Sequence, residues 1–203
     1  MISIITADII RSRKLSSKDW ITGLKKILNI YGKSPTNWEI YRGDEFQLEI
    51  SNPEASLSAA ILIKSYFKML KLDVRISIGF GEKSYKSKKI SESNGTAFSR
   101  SGEIFETLKK NKINLAVNSD NEDFNIEMNL ILQLSATFMD NWLIQSAEFI
   151  KISLENPDLS QEEIGLILGI NQAAVSRRRK RSHYDLMIAT DNHFRAKVKK
   201  LMQ

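Results

Sequence analysis

Residues 37–51, NWEIYRGDEFQLEIS, contain two short runs that are typical of β-strands and that meet at Gly43 and Asp44. A glycine and an acid between two such runs favour a tight β-hairpin. The hairpin would present Asp44 and Glu45 at its tip. Because a two-stranded hairpin is only marginally stable alone, the flanking sequence must supply further strands or helices to cover it.

The sequence on both sides of the hairpin predicts alternating helices and strands. Residues 2–10, ISIITADII, form a β-branched run that suits a strand buried on both faces, with Asp8 near its carboxyl end. The other predicted elements are helix 17–31, helix 53–71, strand 73–81, helix 95–110 and strand 113–117. The order β-α-β-β-α-β-α-β predicts an α+β fold of the ferredoxin-like or palm type, one sheet with helices on one face.

The second half of the chain is predicted to be helical throughout. Residues 119–127 are acidic and polar and mark a domain boundary, and a single long helix is expected from about Met128 to Leu154. Asn156 and Pro157 would end it. We therefore expect an α+β domain over residues 1–120, a helical connector over 121–157 and an all-α domain over 158–203.

Residues 159–182, LSQEEIGLILGINQAAVSRRRKRS, carry the most specific local pattern in the chain. Ser160 and Glu163 form a capping box that predicts a helix start. Gly169 suits a left-handed turn, and a second helix would open at Gln172. Gly165 gives the two helices room to touch, and Val175 provides an apolar anchor on the second. This combination predicts a helix-turn-helix.

The second helix of such a motif would lie in the major groove of double-stranded DNA. Near its N-terminus, Gln172, Ala173 and Ser176 are the expected readers of base edges. The basic run that follows would serve mostly phosphates or solvent, since five consecutive helical positions span more than one turn; its members are Arg177, Arg178, Arg179, Lys180 and Arg181. The alternative is a helical hairpin that merely packs and an ordinary solvated basic face.

The charge of the chain is concentrated at the same end. The whole chain of 203 residues has a net charge of +6, but residues 172–203 contain nine bases and two acids, a net of +7. The remaining 171 residues therefore sum to −1. A localised basic segment favours binding of one polyanionic partner at that end over nonspecific binding of polyanions to the whole surface.

Composition excludes several classes of protein. The chain has no cysteine, which excludes disulfides and thiolate metal sites. It has no apolar stretch near the ~20 residues that a bilayer crossing needs, and its start does not resemble a signal peptide. We expect a cytoplasmic protein without a membrane partner.

Two carboxylates of the first domain form a second candidate site. Asp8 and Asp44 would lie close together if their strands are neighbours, and paired carboxylates without a nearby base suit Mg²⁺ and, through it, nucleotide phosphates. Arg11 and Arg42 could add positive charge for those phosphates, and Glu45 would join them in nucleotide binding. For each acid alone, the alternative is a turn cap or a surface carboxylate.

Four blocks of the sequence resemble the SatD-like family of small bacterial proteins. They are ADIIRSR at 7–13, YRGDEFQ at 41–47, VRISIGFGE at 74–82 and NGTAFSRSGEIFETL at 94–108. The helix-turn-helix pattern at the C-terminal end is similar to the same family. The resemblance implies a nucleotidyl-cyclase-like palm domain followed by a DNA-binding domain.

The first domain is also similar to class III nucleotidyl cyclases and diguanylate cyclases. That resemblance implies that Asp8 and Asp44 are the metal-binding acids, and Glu45-Phe46 follow the hairpin acid as in the diguanylate cyclases. The chain departs from these enzymes at the positions of their catalytic Asn and Arg, where it has Ser99 and Glu103. Further departures are Ile40 in place of a purine-selecting Lys and Arg42 in place of a Gly. The resemblance thus favours ligand binding over catalytic turnover.

The sequence therefore predicts a DNA-binding regulator, expected to be a homodimer, whose first domain senses a nucleotide or related ligand with Mg²⁺. The alternative is a metal-dependent nucleotidyl cyclase or nucleotidyltransferase that its helix-turn-helix regulates. A third hypothesis is a DNA-binding protein whose first domain is a scaffold for protein contacts.

Overall fold

The computed structural model describes residues 1–41 and 43–203 as an α+β protein with one mixed sheet. The strands are β1 Ile2–Ile10, β2 Trp38–Tyr41, β3 Glu45–Ile50, β4 Asp73–Gly81 and β5 Leu115–Asn118. The helices of the first part are α1 Ser17–Tyr31, α2 Ser56–Met69 and α3 Thr96–Asn111. Short 3₁₀ turns span Ser12–Lys14, Pro53–Ala55 and Ile90–Glu92. The predicted order β-α-β-β-α-β-α-β is confirmed.

The sheet has the strand order β2-β3-β1-β4-β5. Strands β2 and β3 form the predicted hairpin, with Tyr41 opposite Glu45. Strand β1 lies between β3 and β4 and is antiparallel to both, so Asp8 has Glu45 on one side and Arg75 on the other. Strand β5 pairs parallel with β4, because helix α3 carries the chain back across the sheet between them.

Helices cover both faces of this sheet, so the expectation of helices on one face is wrong. Alternation along β1 sends Ile5 into the core formed with α1 and α2, and Ile4 into a separate cluster with α3. Gly79 makes the close approach of α3 possible, since a Cβ there would lie 2.3 Å from the carbonyl oxygen of Ala97. Helices α1 and α2 therefore cover one face of the sheet and α3 covers the other. The C-terminal turn of α3 lies over the acids of β1 and β3.

The second half consists of five helices in the described part of the chain. They are α4 Glu122–Met139, α5 Ile144–Glu155, α6 Gln161–Leu168, α7 Gln172–Arg181 and α8 Tyr184–Leu201. None of the helices in the described residues combines the length and the apolar character that a bilayer crossing needs.

The single long helix expected from Met128 to Leu154 is wrong, because the chain breaks between α4 and α5. Helix α4 starts at Glu122, where Asn121 caps it, and ends at Met139. At the break the Asp140 carboxylate accepts a bond from Asn114 and pairs with the buried Lys64 at 2.6 Å. Asn141 donates to the carbonyl of Thr137. The break thus combines one local bond, made by Asn141, with two bonds to Asp140 from distant segments of the chain.

One hydrophobic core runs through the three expected domains. It contains Ile5 and Phe80 of the sheet together with Met128, Val175 and Val198 from the helices. Phe194 of α8 packs 6.0 Å from the ring of Phe80. The boundaries near residues 120 and 157 thus separate segments of the chain that share a core.

Candidate nucleic-acid interface and acidic cluster

Three residues join helices α6 and α7, and the capping box, the left-handed glycine and the start of the second helix lie where the sequence predicts them. The Ser160 backbone NH donates to Glu163 Oε2 at 2.8 Å, and the Glu163 NH donates back to Ser160 Oγ at 3.3 Å. Gly169 ends α6 in the left-handed conformation, with φ at 64°. Asn171 Oδ1 accepts from the Ala174 NH at 2.9 Å and caps α7. Each helix end thus has partners for its free backbone groups.

The two helices touch at Gly165. A Cβ added there would lie 2.7 Å from the carbonyl oxygen of Ile170 and 3.4 Å from Val175 Cγ2, so a larger residue would push the helices apart. Val175 is fully buried and fixes the rotation of α7 about its axis. At the other end of α7, Trp142 Nε1 donates to the Ser182 carbonyl at 2.9 Å. Helix α7 is therefore held at both ends.

This rotation gives α7 one exposed face. The exposed positions with the spacing of a single helical face are Gln172, Ala173, Ser176, Arg177 and Lys180. Arg181, the last residue of the helix, is exposed as well. Small and amide side chains lie at the N-terminal end of the face and cations lie at its C-terminal end. Six of the eight residues predicted to bind DNA are therefore accessible together.

Arg178 and Arg179 do not belong to the exposed face, unlike the other six residues predicted to bind DNA. Arg178 Nη1 lies 2.6 Å from Glu148 Oε2 on α5, and its side chain is 17% exposed. Arg179 is paired with Asp185 at the start of α8, and its guanidinium lies 4.8 Å from the ring centroid of Tyr184. The side-chain bond to Asp185 is the main cause of a raised pKa of Arg179. Both arginines orient α7 on its neighbours.

Ion pairs divide the basic tail into two groups. Arg195 pairs with Asp191 at 2.6 Å and Lys197 with Glu127 at 2.5 Å, as Arg178 and Arg179 pair with their own acids. The five bases of the tail without an ion pair in the described residues are Arg177, Lys180, Arg181, Lys199 and Lys200. Three of these five lie on α7, so most of the uncompensated charge of the tail is at this helix.

Asp8 and the hairpin acids converge at the sheet, but two cations join them. Arg75 Nη1 donates to both carboxylate oxygens of Asp8, at 3.0 and 2.9 Å. Lys109 Nζ from α3 lies 3.9 Å from Asp8 Oδ2 and 3.5 Å from Glu45 Oε1. Burial raises the pKa of Asp8; the charges of Arg75 and Lys109 lower it, and those of Asp44 and Glu45 raise it.

Asp44 is tied to the segment that follows β1. Its Oδ2 accepts the Ser12 hydroxyl at 2.5 Å, and its carbonyl accepts from the Ile9 NH at 3.1 Å. A pocket of about 280 Å³ opens beside it, lined by Ser12, Trp20 and Gly43 among others. Arg42 lies outside the described residues.

The acidic cluster does not fit a magnesium ion as it stands. Both oxygens of Asp8 already accept from a guanidinium, and a second cation lies on the same side. The described residues contain no group of three or more acidic, histidine or cysteine side chains placed to hold a metal. The two histidines have contacts elsewhere, since His193 pairs with Glu127 and the ring of His183 packs against Phe138. The observed chemistry is that of an ion-pair network.

Arg11 was predicted to add positive charge for phosphates bound at these acids. It follows β1 in the left-handed conformation, with φ at 63°, and lines a different pocket together with Arg75. The sequence reasoning missed Arg75 and Lys109, the two cations that change the character of the acidic site. Arg75 carried a signal, since it is a charged residue inside the predicted strand 73–81 and needs a partner on a neighbouring strand.

Comparison of the chain with known proteins found no match among protein-family models, curated proteins or solved structures.

Proposed function

We propose that this protein is a DNA-binding transcriptional regulator that places α7 in the major groove. The observation that carries the proposal is the single exposed face of α7, on which polar side chains are followed by cations that have no ion pair within residues 1–41 and 43–203. A helix of 10 residues is about 15 Å long and enters a major groove about 12 Å wide. Its capped N-terminus and buried Val175 give the face one fixed orientation.

The face divides by chemistry into two parts. Gln172 and Ser176 offer hydrogen-bonding groups to base edges, and Ala173 is small enough to meet a thymine methyl group. Arg177, Lys180 and Arg181 meet phosphates, which set affinity and register without reading sequence. The helix α6, whose exposed first turn contains Glu162 and Glu163, crosses outside the groove.

Selection of duplexes from a random pool, followed by sequencing, tests this proposal. The wild-type protein is expected to enrich a motif, and Gln172→Ala is expected to relax it at one or two positions. A good bidentate contact discriminates by about 1–3 kcal/mol, so the lost preference is about 5- to 150-fold at that position. Lys199→Ala, a change at an exposed base of α8, is the matched control and should leave the motif unchanged. Failure of the wild type to enrich any motif would contradict sequence-specific binding.

A homodimer is part of the proposal, because proteins of this kind gain specificity by placing two recognition helices, one from each subunit, on two DNA half-sites. Helix α4 exposes an apolar stripe at a spacing of four residues: Ile126, Leu130 and Leu134 are 62%, 59% and 61% exposed. The other side of α4 is buried in the core through Phe124 and Met128. A second copy of this chain can cover the stripe with the same residues, as a two-fold interface requires.

The α+β part is proposed to be a nucleotidyl-cyclase-like palm that senses a nucleotide or related anionic ligand. The strand order β2-β3-β1-β4 supports this, since it places Asp8 and the hairpin acids on central neighbouring strands. No metal ion is part of this proposal, because Arg75 and Lys109 already form ion pairs with Asp8 and Glu45. Thermal shifts with a panel of nucleotides test the sensor, and unmoved melting temperatures across the panel would contradict it.

A nucleotidyl cyclase or nucleotidyltransferase is the second candidate, favoured by the convergence of Asp8 with the hairpin acids. Against it, Arg100 cannot easily replace the missing catalytic Arg, since it donates to the Phe80 carbonyl at 2.7 Å and pairs with Asp120. Incubation with ATP, GTP, CTP and UTP in the presence of Mg²⁺ decides between the two. If the wild type releases pyrophosphate and Asp44→Asn does not, the protein is an enzyme. If the wild type releases no pyrophosphate, the enzyme hypothesis fails and the ligand-sensing hypothesis stands.

A further inference from the structure

A basic pocket of about 520 Å³ lies where four chain segments meet. Strand β1 ends there, α2 turns into β4, α3 turns into β5, and α4 breaks before α5. Two acids also line the pocket, Asp73 and Asp140. The bases that line it number five: Arg11, Lys68, Lys71, Arg75 and Lys112.

The acids of the pocket are already neutralised from within the protein. Lys64, which is 2% exposed, lies 2.7 Å from Asp73 and 2.6 Å from Asp140. Lys68 adds a second cation 3.3 Å from Asp73. Of the remaining bases, Arg75 is paired with Asp8. The net positive charge of the pocket therefore rests on its other cations.

Three cations at this pocket have no acidic partner in the described part of the chain. They are Arg11, Lys71 and Lys112, and all three have left-handed backbones, with φ at 63°, 58° and 56°. A side chain in this conformation is disfavoured, and glycine or asparagine is the usual residue there. A lysine just after a helix is stabilised by the negative end of the helix dipole, which explains Lys71 after α2 and Lys112 after α3. The helix dipole does not account for Arg11, which follows a strand.

We propose that this pocket binds a multiply charged phosphate oxyanion, either pyrophosphate or the polyphosphate of a nucleotide. Three cations from three different segments, which have no acidic partner in the described residues, line one concave site, and this arrangement suits an anion with several charged oxygens. The planar guanidinium of Arg11 can hold two of those oxygens, and the lysines add charge without fixing geometry. The inference deepens the ligand-sensing half of the proposed function and does not depend on DNA binding.

Calorimetric titration of the full chain with pyrophosphate and with tripolyphosphate, in the absence of metal, tests the site. Lys71→Ala and Lys112→Ala are each expected to weaken binding by about tenfold, as loss of one charged hydrogen bond does. Lys110→Ala is the matched control, because Lys110 is exposed in the last turn of α3 but does not line the pocket. ATP added in a parallel titration distinguishes a free polyphosphate from the polyphosphate of a nucleotide.

Lys71→Gly separates binding from folding. Glycine adopts the left-handed conformation without the cost of a Cβ, so this variant should melt no lower than the wild type. It should nevertheless bind pyrophosphate about tenfold more weakly. A variant that is stable but binds more weakly cannot be explained by misfolding.

The outcomes distinguish this inference from the proposed function. No heat with either polyphosphate, or equal weakening by Lys110→Ala, overturns the pocket while DNA binding by α7 stands. Polyphosphate binding with the predicted weakening supports the pocket even if the wild type enriches no DNA motif. If Lys71→Ala and Lys112→Ala weaken duplex binding as much as they weaken pyrophosphate binding, the pocket belongs to a nucleic-acid surface and the proposal fails.

Discussion

Replacement of Arg177 and Lys180 by alanine is expected to reduce both the affinity for DNA and its dependence on salt. Both residues are exposed on the face of α7, and neither has an ion pair in the described residues, so both are available to phosphates. Each phosphate contact releases condensed counterions when it forms. Removal of two such contacts must therefore change the slope of log K against log salt as well as the value of K.

The magnitude follows from the two phosphates that the double variant no longer neutralises. Each neutralised phosphate contributes about 0.9 to the slope for B-DNA, so the slope of the double variant should be smaller by about 1.8. Between 50 and 200 mM salt, a fourfold change, the affinity of the wild type should then fall about 12-fold more than that of the variant. This difference is large enough to measure by fluorescence anisotropy with a labelled duplex of random sequence.

The control variant carries the same change of charge elsewhere on the tail. Lys199 and Lys200 are exposed in the last turn of α8, about 22 Å along the helix axis from its first residue beside α7. Lys199→Ala/Lys200→Ala should leave the slope within about 0.5 of the wild-type value. If both double variants reduce the slope equally, binding depends on the total charge of the tail, and the assignment of α7 as the reading helix is refuted.

Three further predictions concern packing, titration and assembly. Gly165→Ala brings a Cβ to 2.7 Å from the Ile170 carbonyl, whereas Gly102→Ala on α3 meets nothing within 4 Å. Both gain helix propensity, so their unfolding free energies in urea should differ by about 1–3 kcal/mol in favour of Gly102→Ala; equal values would contradict the close contact of α6 and α7. Burial raises the pKa of Tyr31 to about 12, with a further rise from Asp191 and a smaller opposing effect of Arg195. The folded state holds the Tyr31 proton more tightly than the unfolded state, so this contribution to stability is complete below pH 10. It is lost between pH 10 and 12, by up to about 2.7 kcal/mol. Tyr31→Phe should remove this alkaline loss of stability and the last step in the absorbance at 295 nm, and an unchanged titration would refute the assignment. Leu134→Glu should convert a dimer into a monomer in light scattering, while Ile30→Glu, at a residue of nearly equal exposure on α1, should not; a wild-type monomer at all concentrations would refute the proposed interface.

The sheet and its order of elements could be predicted because each strand has a strong local pattern. The turn at Gly43 predicts the hairpin and the β-branched run predicts β1, both from local sequence alone. The order of elements along the chain, which the structure confirms, is read from such local patterns. The cover on both faces of the sheet was also indicated, since a strand such as β1 that is buried on both sides needs cover on both. Which helix supplies the second layer was not indicated, and α3 takes that face because Gly79 allows its close approach.

The break in the long helix could have been foreseen only in part. Residues 140 and 141 are aspartate and asparagine, which have low helix propensity, but an apolar pattern continues on both sides of them. What decides the break is tertiary: Lys64 and Asn114 bind the Asp140 carboxylate from other segments. Contacts over such separations in sequence leave no local signal.

The same limit applies to the candidate sites. Val175 is the apolar residue of α7, so the sequence indicates which side of the helix is buried. Helical spacing then predicts which residues lie on the opposite, exposed face. The pairing of Arg178 with Glu148 depends on a contact between α5 and α7 that spacing does not reveal. At the acids, the convergence of Asp8 and Asp44 was predictable from neighbouring strands, and the intrusion of Lys109 from α3 was not.

The break between α4 and α5 joins the basic pocket to helix α7 by direct contacts. Lys68, which lines the pocket, donates to the Asp140 carbonyl at 2.6 Å, and Trp142 of the same break donates to Ser182 at the end of α7. A phosphate ligand that draws Lys68 from Asp140 would act on this connection. Contiguity alone transmits nothing, since coupling requires that the ligand bind one arrangement more tightly than another. By linkage, DNA must then change the affinity for pyrophosphate by the factor by which pyrophosphate changes the affinity for DNA. Titration of pyrophosphate with and without bound duplex measures that factor, and equal dissociation constants would show that the two sites are independent.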